Sequence, residues 1–169
     1  FGEYNALNAA AVFILATELK WNVNILEAFK NFQGVKRRQE IIGRPRDIMI
    51  IEDFAHHPTA VAETIRTFKK RPHSGRVHAV FEPRSATSRR NVFQREYLEA
   101  FSAADFSYIA APFAQEKIPL EQRFSSQKLV DDLNALKNQS AEVCQNVDEI
   151  VSALKRQAQP GDTILVMSN

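Results

Sequence analysis

This 169-residue sequence has a single cysteine, no long apolar run and no signal-peptide pattern at its start. Cys144 is the only cysteine, so an intrachain disulfide is excluded and a reducing cytoplasm is expected. No stretch approaches the ~18 apolar residues of a membrane-spanning helix, and the start carries no signal-peptide pattern. We therefore predict no membrane partner. Because the chain begins at Phe1 and not at Met, we expect it to be part of a longer protein.

Several catalytic motifs are also missing. The sequence has no G-x-x-x-x-G-K-[ST] phosphate loop and no G-x-S-x-G nucleophile turn. Cys144 lies in the apolar stretch 141–147 without a catalytic partner, which predicts a core residue. Asp53, His56 and His57 could bind a metal, but further ligands at a recognised spacing are missing, so no metal site is predicted. The net charge of +2, without an RNA-binding aromatic motif, does not indicate a nucleic-acid partner.

The order of apolar residues predicts two parts. Residues 5–20 carry an apolar helical stripe from Ala6 to Leu19, and a second helix is predicted at 22–31, with Val23, Leu26 and Phe29 facing inward. From residue 37 onward strands and helices alternate, which predicts an α/β domain with a mostly parallel sheet whose strand order stays open. The predicted strands are 37–42, 47–52, 76–81, 106–111, 141–145 and 163–167. Four helices are predicted between these strands. One begins at Pro58, two span 92–101 and 125–136, and one begins after Asn146.

Polar side chains follow several of the predicted strands. Ligands of open α/β sheets bind outside the carboxyl ends of the strands. The strings at those ends are EDFAHHP at 52–58, FEPRS at 81–85, APF at 111–113 and MSN at 167–169. We expect their side chains to share one edge of the sheet. Two simpler roles stay open, a structural turn for Asp53 and a helix cap for His57.

Three strings resemble motifs of the Mur ligase family. They are GEYNALNA at 2–9, RRQE at 37–40 and DFAHHPT at 53–59, although Tyr4 stands where the family usually has His. FEPRS, together with PGD at 160–162 and ILVMSN at 164–169, is most similar to the branch of murein peptide ligases. The resemblance implies a Rossmann-like, mostly parallel sheet flanked by helices in a peptide-binding domain at 34–169. Residues 1–33 would then be the last helices of a central ATP-binding domain.

The resemblance also implies a reaction. Such a ligase uses ATP and Mg²⁺ to join L-Ala-γ-D-Glu-meso-diaminopimelate to UDP-N-acetylmuramate through an acyl phosphate, in the peptidoglycan recycling of the bacterial cytoplasm. The phosphate loop and the catalytic carboxylates belong to the central domain of that family, and the UDP-binding domain precedes it. We therefore expect no catalytic residue in this sequence and no activity from it alone. The UDP-binding and central domains are expected to be its partners in the same chain.

The resemblance assigns roles to individual residues. It implies nucleotide contacts by Asn5, Asn8, Arg38 and Asp53, and contacts to the peptide by His56, Arg84 and Ser168. Arg89 either assists with the peptide carboxylates or is a surface charge. Two other functions stay open. The ligase could add L-alanine to UDP-N-acetylmuramate, or the domain could be a non-catalytic module that binds nucleotides or anions.

Overall fold

A six-stranded sheet forms the centre of the fold in the computed structural model, which describes residues 2–32, 34–72, 75–136 and 140–168. The strand order is β1-β2-β6-β3-β4-β5. Strand β1 runs antiparallel to β2, and the other four pairings are parallel. The strands are β1 (Glu40–Gly43), β2 (Met49–Asp53), β3 (Val77–Phe81), β4 (Phe106–Ala110), β5 (Ser140–Cys144) and β6 (Thr163–Met167). The prediction of an α/β fold with a mostly parallel sheet is confirmed.

Helices cover both faces of this sheet. The helices that follow β2, β3 and β4 pack on one face around a core that includes Phe81, Phe101 and Leu165. The helix that follows β5 packs on the other face against Val80 and Tyr108. Cys144 is buried in that second cluster, which confirms its prediction as a core residue. The helices are α1 (Glu3–Glu18), α2 (Ile25–Asn31), α3 (Pro58–Lys69), α4 (Gln94–Phe101), α5 (Ser126–Asn134) and α6 (Val147–Gln157). None of the described helices is long and apolar enough to cross a membrane.

Two of the helices begin where the sequence predicts. Helix α3 has Pro58 in its first turn, where the missing N–H leaves no partner unsatisfied. Its predicted stripe of Val61, Ile65 and Phe68 is fully buried. Helix α6 begins after Asn146, whose side chain accepts from the Glu149 N–H at 2.9 Å.

The first part of the chain departs from prediction. Residues 37–39 form a turn in place of the start of a strand, since Arg37 and Gln39 have positive φ angles of 57° and 54°. Helix α2 begins at Ile25 because the Asn24 side chain caps it by accepting from the Glu27 N–H.

The predicted apolar faces of the first two helices are only partly realised. Ala16 of α1 is buried, but Leu19 after its end is 55% exposed. Val23 and Leu26 were expected to face inward, and they are 56% and 63% exposed. The physical reason is that α1 carries apolar side chains on more than one of its faces, with Leu7, Ile14 and Leu15 also exposed. The described part of the chain does not provide enough surface to cover both helices.

Candidate functional site

The carboxyl ends of strands β2, β6 and β3 bring the predicted polar side chains together. The Ser168 N–H donates to the Asp53 carbonyl at 3.3 Å, and the Glu82 N–H donates to the Met167 carbonyl at 3.2 Å. These bonds continue the parallel ladder one residue beyond each strand. The segments after β2, β6 and β3 therefore lie side by side, as predicted from the positions of the strand ends.

Asp53 lies at the end of β2 and is almost fully buried. One of its carboxylate oxygens accepts from the Ala55 N–H at 3.0 Å, and the other accepts from the Thr64 hydroxyl at 3.2 Å. Burial raises the pKa of Asp53, while these hydrogen bonds and the positive charge of Arg38 act against that shift. Asp53 thus holds the turn between β2 and α3, the structural role left open above. The Gln39 N–H is a further partner of this carboxylate, and the contact of Asp53 to a ribose stays a prediction.

The two adjacent histidines have different roles. The His57 ring accepts from the Thr59 N–H at 3.4 Å and caps α3, which is the simpler of the roles left open for it. His56 Nδ1 lies 2.9 Å from the Phe54 carbonyl oxygen. Because a carbonyl can only accept, Nδ1 carries the proton, and in the uncharged ring Nε2 keeps its lone pair. The buried Tyr97 hydroxyl donates to the His56 carbonyl and fixes the backbone there.

Two neighbouring arginines both contact the Phe54 ring. The guanidinium carbons of Arg37 and Arg38 lie 5.0 Å and 5.3 Å from the ring centre. Arg37 donates to Glu52 at 2.9 Å and to the Ser168 carbonyl at 3.0 Å, so it ties the turn after α2 to the ends of β2 and β6. The Arg38 side chain is exposed, and its guanidinium donates no hydrogen bond to any described residue. Its charge remains available to an anionic ligand.

Asn5 and Asn8 lie on α1, three residues apart and therefore on neighbouring positions of one helix face. The Asn5 side chain donates to Gln39 at 3.4 Å, which brings α1 next to the turn that carries Arg38. Asn8 is exposed. The side chain of Tyr4, whose identity departs from the family motif, lies outside the described residues, as does Asn169. The nucleotide contacts predicted for Asn5 and Asn8 stay predictions.

Glu82, Pro83 and Arg84 follow β3 and are fixed on both sides. The Ser168 hydroxyl donates to Glu82 Oε2 at 3.0 Å. The carbonyl of Pro83 accepts from the Phe113 N–H at 3.2 Å, which joins this segment to the loop after β4. The Arg84 guanidinium lies 4.6 Å from the centre of the Phe113 ring and 3.7 Å from Glu82. It is half exposed and donates no hydrogen bond within the described part of the chain.

Arg89 has a contact role that the sequence did not indicate. Its guanidinium donates to the carbonyls of Ala114 at 2.9 Å, Phe113 at 3.3 Å and Ser85 at 3.3 Å. Arg89 therefore fastens the loop after β3 to the loop after β4. A contact from Arg89 to a peptide stays a prediction, and Arg84 is the better placed of the two cations because its donors are free of such carbonyls.

Sequence reasoning missed Arg37 and Glu82 as parts of this site. Both are charged residues inside strings that were singled out, yet only the fold shows that each touches Ser168. No group of three or more His, Cys, Asp or Glu among the described residues is placed to hold a metal ion. Two cavities of about 440 Å³ and 170 Å³ lie elsewhere, beside α6 and at the opposite edge of the sheet.

Comparison with known proteins identifies the family. The model for "Mur ligase, glutamate ligase domain" matches residues 37–169. The chain is 31% identical over 170 residues to UDP-N-acetylmuramate–L-alanine ligase from Rickettsia prowazekii, covering 98% of the chain and 34% of that protein. A murein peptide ligase from Psychrobacter arcticus is 30% identical, with a TM-score of 0.69 over 99% of this chain and 34% of that one. A UDP-N-acetylmuramate–alanine ligase from Thermotoga maritima, 22% identical, shares the fold with a TM-score of 0.78 over 99% of this chain and 35% of that one.

The chain spans about a third of the length of these relatives. The match of the family model covers most of the chain and includes the turn with Arg38, the end of β2 and the segment of Glu82 and Arg84. With its mostly parallel sheet and this residue set at the sheet edge, the chain belongs to the Mur ligase family.

Proposed function

We propose that this chain is the peptide-binding part of an ATP-dependent ligase that joins L-Ala-γ-D-Glu-meso-diaminopimelate to UDP-N-acetylmuramate. The observation that carries the proposal is Arg84, a half-exposed guanidinium at the end of β3 without a hydrogen bond to any described residue. A guanidinium forms a two-pronged hydrogen bond with a carboxylate, a geometry that lysine cannot reproduce. The tripeptide carries three carboxylates, whereas L-alanine carries one.

His56 and Ser168 belong to the same peptide site. The Ser168 hydroxyl is directed to Glu82, and the Ser168 carbonyl is held by Arg37, so this residue is fixed from two sides. In the uncharged ring, with the proton on Nδ1, His56 Nε2 can accept from an N–H of the incoming peptide. These side chains orient the amine, and preorganised groups lose little freedom when the substrate binds.

The nucleotide would be held at the end of β2, where the cationic Arg38 lies over the Phe54 ring and close enough to Asp53 to act on its charge. When bound, ATP supplies the phosphoryl group that converts the lactyl carboxylate of UDP-N-acetylmuramate into an acyl phosphate. Arg38 neutralises phosphate charge, Asp53 accepts from the ribose hydroxyls, and Asn5 and Asn8 contact the adenine from α1. The described residues offer no cluster of carboxylates for Mg²⁺, which usually binds through one or two carboxylates together with the phosphates. The phosphate loop and the catalytic carboxylates of this family belong to its central domain, so we predict that the chain alone is inactive.

A second function is favoured by the relatives that add L-alanine, such as the one from Rickettsia prowazekii. The two activities are separated by following phosphate release from ATP with the complete protein, Mg²⁺ and UDP-N-acetylmuramate. One reaction receives L-alanine and the other receives the tripeptide. Release with the tripeptide only is the expected result. Release with L-alanine only would replace the proposed function by the second one, and no release with either amine would favour a non-catalytic binding module.

A further inference from the structure

The turn between α2 and β1 has an uncommon backbone conformation on both sides of Arg38. Arg37 and Gln39 have positive φ angles of 57° and 54°, which residues other than glycine rarely adopt. Such angles persist only where the surrounding structure fixes them. The position of Arg38 therefore does not follow from the local preference of the backbone, and it depends on the contacts that its two neighbours make.

Both neighbours of Arg38 are anchored by contacts outside the turn. Gln39 is buried, and its side chain accepts from Asn5 of α1 at 3.4 Å. The Arg37 carbonyl accepts from the Phe54 N–H at 2.7 Å, one residue beyond the end of β2. Arg38 is the one exposed residue of the three. The turn thus presents Arg38 to solvent from a backbone that is fixed before and after it.

The Arg37 side chain joins this turn to the ends of two strands. Its Nε donates to Glu52 Oε1 on β2 at 2.9 Å, and its Nη2 donates to the Ser168 carbonyl just after β6 at 3.0 Å. Its guanidinium carbon also lies 5.0 Å from the centre of the Phe54 ring. The Arg37 guanidinium is thus bound within the protein, whereas that of Arg38, 5.3 Å from the same ring, donates to no described residue.

We propose that Arg37 is a positioning residue that raises the affinity for the nucleotide through Arg38 and does not touch the nucleotide itself. This inference rests on the nucleotide contact proposed above for Arg38, and it does not depend on which amine the ligase uses. Arg37 fixes the turn against the ends of β2 and β6, so Arg38 is held over Phe54 before the nucleotide arrives. A cation that is held in place in advance loses little freedom on binding, which raises the affinity.

Two other roles of Arg37 make different predictions. If Arg37 serves only the stability of the fold, its removal lowers Tm and leaves the affinity for the nucleotide unchanged. If Arg37 itself binds a phosphate, Arg37→Ala and Arg38→Ala weaken binding independently, and Arg37→Lys retains the affinity. A positioning role predicts instead that the effects of the two alanine substitutions are not additive, because Arg37 acts only through Arg38.

The test measures the binding of ADP with Mg²⁺ to the complete protein by isothermal titration calorimetry, without turnover. Arg37→Ala should raise the Kd by about fivefold or more, because Arg38 is then no longer held in place. Arg37→Lys should raise it by about threefold or more, since an ammonium lacks the planar fork that reaches Glu52 and Ser168 together. In a protein that already carries Arg38→Ala, the addition of Arg37→Ala should change the Kd by less than about twofold.

Arg156→Ala is the matched control, because Arg156 donates to Glu142 at the same distance of 2.9 Å but lies beside β5, at the other edge of the sheet. It should leave the Kd unchanged. An unchanged Kd in Arg37→Ala, or losses that add to those of Arg38→Ala, would overturn the role of Arg37. If Arg37→Ala does not fold, Arg37→Lys decides, and a Kd equal to that of the unaltered protein would overturn the inference.

The same experiment separates this inference from the proposed function. If the unaltered protein does not bind ADP with Mg²⁺, the proposed nucleotide site is wrong, and the role of Arg37 is overturned with it. Turnover of L-alanine in place of the tripeptide would overturn only the proposed substrate, because the binding of ADP is measured without any amine.

Discussion

The replacement of Asp162 by Asn should destabilise the fold strongly, although Asp162 lies far from the candidate site. This carboxylate precedes β6 and is buried. Its Oδ1 accepts from the Arg76 N–H at 2.8 Å. Its Oδ2 accepts from the Arg76 guanidinium at 2.9 Å, from His78 Nε2 at 3.0 Å and from the Gln159 N–H at 2.9 Å. An asparagine must place its NH₂ group at one of these two positions, where it meets donors in place of acceptors.

The magnitude follows from the number of donors that lose their acceptor. With the NH₂ group at the position of Oδ1, the Arg76 N–H loses its partner, and the loss of charge weakens the three bonds at the other oxygen. A buried donor without a partner costs about 1–3 kcal/mol. We therefore expect the free energy of unfolding to fall by about 3 kcal/mol. For a chain of this size that corresponds to a fall in Tm of about 6–12 °C.

Thermal unfolding followed by circular dichroism measures this change. Asp131→Asn is the control, because Asp131 lies on the exposed face of α5, with Gln127 as its side-chain partner. It should change Tm by about 2 °C or less, as surface substitutions usually do. A fall of less than about 2 °C in Asp162→Asn would refute the view that this buried carboxylate organises the amino-terminal edge of the sheet.

The same residue gives a pH dependence of known sign. Burial would raise the pKa of Asp162, but the hydrogen bonds from Arg76, Gln159 and His78 outweigh burial and hold the pKa at about 2. Its pKa in the unfolded chain is near 3.8, so the unfolded state takes up the proton first as the pH falls. The stabilisation by Asp162 is complete above about pH 4 and is lost between about pH 4 and pH 2. The difference in stability between the unaltered protein and Asp162→Asn should therefore shrink across that range.

Three further predictions concern the site and the core. In the complete protein, Arg84→Ala should raise the KM for the tripeptide more than tenfold, since a lost charged hydrogen bond costs about 1.5–3 kcal/mol; an unchanged KM would remove Arg84 from the peptide site. Arg38→Ala should raise the KM for ATP more than tenfold and leave the KM for the tripeptide unchanged. Arg95→Ala on the exposed surface of α4 is the control for Arg84→Ala and Arg38→Ala, and it should leave both KM values unchanged. Cys144 should resist a thiol reagent in the folded chain and react on unfolding, because burial raises its pKa and excludes the reagent; rapid labelling of the native chain would contradict its place in the core.

Much of the fold was predictable from local patterns. The apolar run at residues 48–51 predicts a buried strand of a parallel sheet, and β2 lies there between β1 and β6. The stripe on α3 and the cap of α6 also follow from the sequence, because helix spacing and capping depend on neighbouring residues. The position of β6 between β2 and β3 was not predictable, since strand order depends on how the chain crosses the sheet.

The candidate site was predictable at the level of segments and less so at the level of single residues. Arg37 and Arg38 are adjacent in a basic stretch, and the sequence does not say which of them pairs with Glu52. That choice depends on positive φ angles at Arg37 and Gln39, which are uncommon outside glycine. Arg89 likewise resembles a substrate contact until the fold brings the carbonyls of Phe113 and Ala114 to its guanidinium.

A competition between the two amines tests the proposed substrate most directly. The complete protein would receive ATP, Mg²⁺, UDP-N-acetylmuramate and equal concentrations of L-alanine and L-Ala-γ-D-Glu-meso-diaminopimelate. Mass spectrometry would then quantify the two UDP-linked products, whose ratio equals the ratio of kcat/KM for the two amines. We expect the tripeptide product to predominate at least tenfold. Predominance of the L-alanine product would contradict the assignment of Arg84 to the carboxylates of a peptide.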